Sequence, residues 1–225
     1  MVEYQFYLVS TPIGNLEDFT FRAKNILESV DLVLAEDTRR TGLILARYGI
    51  KTRLKAYHDH NKDRVTPQVI EFIESGKKAA LVSDAGTPLI SDPGYYLVVR
   101  LIEHGITVTA VPGPSAVITG LVLSGLPTDR FAFLGYVPRK KGARTRFIED
   151  AAQSTMTTIF FESPFRVMKT LAEIARVMPD RRVVVAREMT KLHEEILRGR
   201  AVELFESLSS RSLKGEITIL VEGKS

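Results

Sequence analysis

Short apolar, β-branched runs alternate with segments of helical period through the first half of the chain. That alternation restricts the possible folds more than any other feature. YQFYLV (4–9), DLVLAED (31–37), TRLKAYH (52–58), KKAALVSD (77–84) and ITVTAVPG (106–113) read as strands. FRAKNILESV (21–30), TRRTGLILARYG (38–49), TPQVIEFIESG (66–76) and YYLVVRLIEHG (95–105) read as helices between them. TPQVIEFIESG carries a start signal, with Thr66 as cap and Pro67 at the first helical position, and it stops on Gly76. Val69, Ile70, Phe72 and Ile73 form its apolar face, and Leu97, Val98, Leu101 and Ile102 form that of the next helix. Strand, helix and strand in repetition predict an α/β fold with a mainly parallel sheet flanked by helices.

The character changes after PGPSA (112–116). FAFLGYV (131–137), TMTTIFFES (155–163), RRVVVAREM (181–189), EEILRG (194–199) and EITILVEG (216–223) read as strands, with helices at 164–178 and about 200–209. The last of these elements follow one another closely, which predicts antiparallel pairing in a mixed sheet. Two α/β domains are expected, an N-terminal one over 1–112 and a C-terminal one over 113–225, in line with 225 residues that are 44% apolar.

Several classes are excluded. No apolar run approaches the ~18 residues of a membrane helix. The N-terminus has no basic segment before its short apolar piece, so it does not read as a secretory leader. With no cysteine there is no disulfide framework and no thiolate zinc site, which fits a cytoplasmic protein. No two glycines stand two apart, so the dinucleotide fingerprint is missing, and neither a P-loop nor a nucleophile elbow occurs. His58-Asp59-His60 would set two imidazoles on one side of a strand, but no further histidine is near in sequence, and no metal is expected.

Four polar loops follow the strands of the first half: STPIGNLED (10–18), AEDTRR (35–40), SDAGTPLISDPG (83–94) and PGPSA (112–116). In an open parallel sheet such loops gather at the carboxyl edge, where ligands bind at a topological switch point. Glycine and proline there allow close backbone approach and fixed turns. The net charge is +4, and RKKGARTR (139–146) places five cations together without a carboxylate. Such a run is either a solvated loop or a patch that tracks nucleic-acid phosphates.

In order and wording these pieces resemble the tetrapyrrole-methylase superfamily of S-adenosylmethionine-dependent methyltransferases. Within it the chain is most similar to the ribosomal RNA small subunit methyltransferase I group. The matching segments are LVSTPIGNLEDFTFRA, LAEDTRRTGLIL, LVSDAGTPLISDPG, VTAVPGPSAVITGLVLSGLPTDRFAFLGYVPRK, IFFESPFRV, VVVAREMTKLHEE and GEITILVEG, which together span residues 7–223. The resemblance implies 2′-O-methylation of a cytidine ribose in the decoding region of 16S rRNA. It also implies a cofactor held between two α/β domains, and a homodimer. Porphyrin and corrin enzymes of the superfamily resemble G-x-G-P-G-D where this chain reads STPIGN, and S-G-G-D-P where it reads DAGTP, with Thr87 in place of the aspartate. Both departures argue for the RNA group.

Carried over position by position, the resemblance implies that Pro12, Asp84, Gly86, Thr87, Ile90, Ser115, Ala116, Phe161, Glu162, Met189, Gly215, Glu216 and Ile217 line the cofactor. Arg139, Lys140, Lys141, Arg144 and Arg146 would hold RNA. Methyl transfer from a sulfonium needs alignment and a destination for the hydroxyl proton. Asp84, Glu36 and Asp37 are carboxylates on these loops, and Arg39, Arg40 and Lys191 are candidate cations; Asp37 alternatively caps a helix. Asp84, Glu36 and Arg39 are taken as the catalytic candidates. Two other readings stay open, a small-molecule methyltransferase of the tetrapyrrole type and a non-catalytic RNA- or ribosome-binding protein.

Overall fold

The structure, a computed structural model, describes residues 4–224. The chain divides into two compact units, residues 1–115 and 116–225.

The first unit is built on strands β1 (Phe6–Val9), β2 (Leu32–Ala35), β3 (Leu54–Ala56), β4 (Ala79–Val82) and β5 (Val108–Val111). Helices α1 (Phe21–Ser29), α2 (Thr38–Arg47), α3 (Lys62–Glu74) and α4 (Tyr95–Glu103) connect them. The strands form one sheet in the order β3-β2-β4-β1-β5, and every pair is parallel. Alternation along each strand supplies two cores. Leu32 and Leu34 of β2 and Ala79 and Leu81 of β4 face Val69, Ile73, Leu97 and Leu101 of α3 and α4. Val33 and Ala35 with Ala80 and Val82 face Ala23, Leu27 and Leu45 of α1 and α2. Right-handed crossovers require this segregation. From β1 the chain moves to one side, toward β2 and β3. From β3 it moves back the other way, to β4 and then to β5, so α1 and α2 cover one face and α3 and α4 the other.

Some elements differ from the sequence reading. Helix α3 starts at Lys62, a turn before the Thr-Pro signal, and contains Pro67. Val65 and Thr66 are buried, and the Thr66 hydroxyl meets the Tyr57 hydroxyl at 3.1 Å, so Thr66 serves the core rather than a cap. Tertiary burial outweighs the local start signal there. In α4 Leu97 and Leu101 are buried as expected, but Ile102 is exposed. Strand β3 ends at Ala56, so His58 and His60 lie in the following turn and share no strand face.

The second unit holds α5 (Ala116–Ser124), β6 (Phe131–Tyr136), α6 (Lys141–Gln153), β7 (Thr157–Glu162), α7 (Val167–Val177), β8 (Arg182–Arg187), β9 (Glu195–Arg200), α8 (Ala201–Leu208) and β10 (Ile217–Val221). Its sheet runs β6-β7-β10-β8-β9. Only β6 and β7 are parallel; β7 with β10, β10 with β8 and β8 with β9 are antiparallel. The sheet is therefore mixed, as expected. Phe160, Val183, Val185, Ile217, Ile219 and Val221 pack on one side against Ile148, Leu171, Ile174 and Leu204 of α6, α7 and α8. Gly120 of α5 meets Thr218 and Leu220 of β10 from the other face.

Gly94 tests how tightly the loop after β4 is tied to the sheet. Its φ is +134°, and a Cβ there would lie 2.6 Å from Leu81 and 2.9 Å from Leu89. Gly94→Ala combines backbone strain with a clash against a central strand. It should destabilise the protein by roughly 1–3 kcal/mol, read as a lower urea midpoint at unchanged slope.

Candidate functional site

The direction of chain travel reverses between β1 and β4, which are neighbours in the first unit's sheet. The loops after these strands leave toward opposite faces, and that is the switch point at which open α/β sheets bind ligands. The two loops are tied together past the strand ends. Thr11 N donates to Gly86 O at 2.9 Å, and Gly86 N donates to Thr11 O at 3.0 Å. The Thr11 hydroxyl donates to Ser83 O at 3.1 Å, and the Ser83 hydroxyl to Gly86 O at 2.9 Å. The loop after β5 joins the same network: Thr87 donates to Pro114 O at 3.2 Å, while Ser10 donates to the Thr87 hydroxyl at 3.3 Å. A Cβ on Gly113 would lie 2.9 Å from that of Ser10, so the third loop runs hard against the first. Pro12, Gly86 and Thr87 thus share one cluster of strand ends. Ile90 is exposed farther along the β4 loop, where Leu89 and Ser91 both take positive φ.

A group of carboxylates stands beside this network. Asp84 accepts from Asp37 N at 3.1 Å and pairs with Arg40 at 3.4 Å. Asp37 caps α2 by accepting from Arg39 N at 2.9 Å. It also grips the Arg39 guanidinium at 2.7 Å, and that contact first, with the cap, holds its carboxyl below the usual carboxylate range. Arg39 is itself 89% exposed, and its guanidinium pairs with Asp37, while Arg40 pairs with Asp84. Glu36 is raised, by loss of hydration first and then by the charges of Asp84 and Asp59. Asp92, which the sequence reading did not single out, is pushed up to about 7 by burial, with Glu36 and Asp84 adding to it. Its signal in the sequence was a second aspartate in the SDAGTPLISDPG loop.

The second unit's candidates fall into separate groups. Phe161 is half-buried and touches Phe133 and Tyr136 edge-on. The carboxylate of Glu162 is fully buried toward α7, paired with Arg166 at 2.6 Å and accepting from Thr170 at 2.5 Å. Around Glu188, the Glu216 N–H and the Lys191 ammonium each donate at 2.8 Å, and a Cβ on Gly215 would lie 2.3 Å from its carboxyl carbon. Gly215 and Glu216 are therefore part of a local turn built on Glu188. Met189 and Ile217 are buried. Arg139, Lys140, Lys141 and Arg146 are exposed, and Arg144 is half-buried. Ser115 ends the first unit, and Ala116 opens α5.

A profile of the family described as Tetrapyrrole (Corrin/Porphyrin) Methylases matches residues 5–204. The chain is 46% identical over 217 residues to the Ribosomal RNA small subunit methyltransferase I of Halalkalibacterium halodurans, covering 96% of this chain and 75% of that one. It is 45% identical to the protein of the same name from Thermotoga maritima, covering 96% and 97%. Among solved structures, uroporphyrin-III-C-methyltransferase from Thermus thermophilus superposes with a TM-score of 0.66 at 19% identity, over 96% of this chain and 93% of the other. A cobalt precorrin-4 methyltransferase superposes with a TM-score of 0.68 at 18% identity, over 96% and 94%.

Asp92 sets a pH dependence. Its carboxyl is raised to about 7 in the folded state against about 3.8 unfolded. Between those values the unfolded chain releases a proton that the folded chain retains, so stability falls as pH rises from about 4 to about 7. Asp92→Asn should remove that slope and stabilise the protein at pH 8, by on the order of 1–2 kcal/mol after solvent screening. Urea titrations of parent and variant at pH 5 and pH 8 measure it; equal slopes would show that Asp92 ionises normally.

Proposed function

Because the chain belongs to the tetrapyrrole (corrin/porphyrin) methylase family, we propose that it transfers a methyl group from S-adenosylmethionine to small-subunit ribosomal RNA, at the ribose 2′-hydroxyl of a cytidine in the decoding region of 16S rRNA. The observation that carries this reading is the contrast in similarity. Identity to the two ribosomal RNA methyltransferases is 45–46% over 96% of the chain, whereas the tetrapyrrole enzymes share the fold at 18–19%. Thr87 agrees with it: its hydroxyl is spent on Pro114 O, where the porphyrin and corrin enzymes resemble one another in an aspartate.

The switch-point residues fit such a donor. S-adenosylmethionine carries a sulfonium and an ammonium, and it supplies an activated methyl group when bound. Glu36, Asp84 and Asp92 give these strand ends a negative field that favours the sulfonium and the ammonium of the donor. The loops at Pro12, Gly86 and Ser115 offer backbone with little side chain, suited to close approach. Asp84 is held by Asp37 N and Arg40, so it acts as a fixed charge. Asp92, at about 7, is the carboxylate best matched to accept a hydroxyl proton near neutral pH.

The test is methyl transfer from labelled S-adenosylmethionine to isolated small subunits, with the modified nucleoside identified by mass spectrometry after digestion. Label in 2′-O-methylcytidine is expected. Label in a tetrapyrrole, or none in rRNA, would sink the reading. The basic run gives a second prediction. Replacing Lys140, Lys141 and Arg146 by alanine should weaken RNA binding and reduce the slope of log affinity against log salt by about 2, from roughly 0.7 per phosphate contact on single strands. Affinity for the methyl donor should remain that of the parent.

A further inference from the structure

The pairing of β6 with β7 contains an irregularity that redirects one side chain. Phe131, Ala132 and Phe133 pair in step with Thr157, Thr158 and Ile159, but Tyr136 then pairs with Phe161. One extra residue of β6 is inserted over that interval. Without it Gly135 would stand opposite Phe161, and Tyr136 would point to the face that α6 and α7 cover. Gly135 takes a φ of +72°, a conformation open to glycine, and so accommodates the insertion. The consequence is an aromatic group on one face: Phe161 touches Phe133 at 4.8 Å and Tyr136 at 5.4 Å between ring centres. Tyr136 remains 60% exposed.

A second exposed ring stands at the same end of the neighbouring strand. Phe165, in the turn after β7, is 93% exposed. The turn is braced rather than loose. Arg166 N donates to Ser163 O at 2.9 Å, and Phe165 N donates to the Ser163 hydroxyl at 3.3 Å. The Arg166 guanidinium, anchored on buried Glu162, donates to Val137 O at 3.0 Å and so joins the turn to the loop after β6. That loop enters the basic run directly. From Phe131 to Ile148 the chain has five cations and no carboxylate. Among the described residues, Arg139, Lys140, Lys141 and Arg146 enter no ion pair. Exposed flat rings on fixed turns beside a stretch of uncompensated positive charge are the two parts of a single-strand binding surface. Duplex RNA would not use the rings, since its bases are already stacked on one another.

We propose that Tyr136 and Phe165 stack on bases of a single-stranded RNA segment whose phosphates run along residues 139–146. This rests on the reading of the chain as an rRNA methyltransferase and adds where its RNA is held. The probe is a short fluorescent oligocytidylate, compared with a sugar-phosphate chain of the same length that lacks bases. Tyr136→Ala and Phe165→Ala should each weaken binding of the oligocytidylate about tenfold, with the salt slope unchanged, because stacking releases no counterions. Tyr136→Phe should bind as the parent does. The unaltered protein should prefer oligocytidylate over the baseless chain by at least about tenfold. Equal affinity of the unaltered protein for the two chains overturns the proposal, however the variants fold. So does parent-like binding by both alanine variants, and so does a change in the molar mass of the free protein on either substitution, which would assign the rings to a contact between copies of the chain. The oligonucleotide measurement needs no methyl donor. Base preference without methyl transfer would therefore sink the enzymatic reading alone, and methyl transfer without base preference would sink this one alone.

Discussion

Burial of strands β2 and β4 on both faces is the constraint from which the rest of the first unit follows. All four residues of β2 and of β4 are buried. Strands covered on two sides by helices have no surface on which to carry a polar group, and an unpaired one there would cost about 1–3 kcal/mol. Polar chemistry is therefore confined to the strand ends. At the carboxyl end the buried hydroxyls of Thr11 and Ser83 are both satisfied by carbonyls of the β4 loop. The loops are thus bonded to one another as closely as the strands beneath them, and a residue such as Gly86 is fixed by two backbone bonds to Thr11. Rigidity at the site is inherited from central strands with no free face.

This is also why so much of the first unit was legible in the sequence. A strand buried on both sides must read as a continuous apolar run, and LVLA and AALV do. The four loops could be placed at one edge because parallel strands leave no other arrangement. Local signals failed where distant contacts outweighed them. Thr66-Pro67 looks like a helix start, yet the helix begins at Lys62 because Val65 and Thr66 are needed against Tyr57 and the sheet. Segment 117–127 is apolar on nearly every side, so no periodicity identified the helix that now spans Ala116–Ser124. The reorientation of Tyr136 depends on the register of β6 against β7, and register between strands is a tertiary quantity.

The distribution of charge separates two tasks. Loss of hydration first and the charge of Asp84 second raise the affinity of Glu36 for protons, and burial first, with the charges of Glu36 and Asp84, pushes Asp92 up to about 7. A region that already resists its own negative charge would resist an RNA phosphate more strongly, because each added anion drives those carboxyls further toward the neutral form. A cation has the opposite effect: it stabilises the ionised carboxylates and is stabilised by them. The first unit's strand ends are therefore suited to a positively charged donor and unsuited to a nucleic-acid backbone.

The backbone needs a surface of the other sign, and the chain concentrates one in eight residues of the second unit. Cations alone would hold any RNA in any register, since phosphates are identical along the strand. Choice of a single nucleotide requires contact with bases, and bases can be reached only where the strand is unpaired. The Tyr136 ring, held against Phe161, loses little freedom when a base stacks on it, and the turn at Ser163 fixes the backbone that presents Phe165. The irregularity in β6 turns Tyr136 to the face of Phe161, beside the basic run that leads into the first turns of α6, so the proposed base and phosphate contacts can act on one strand.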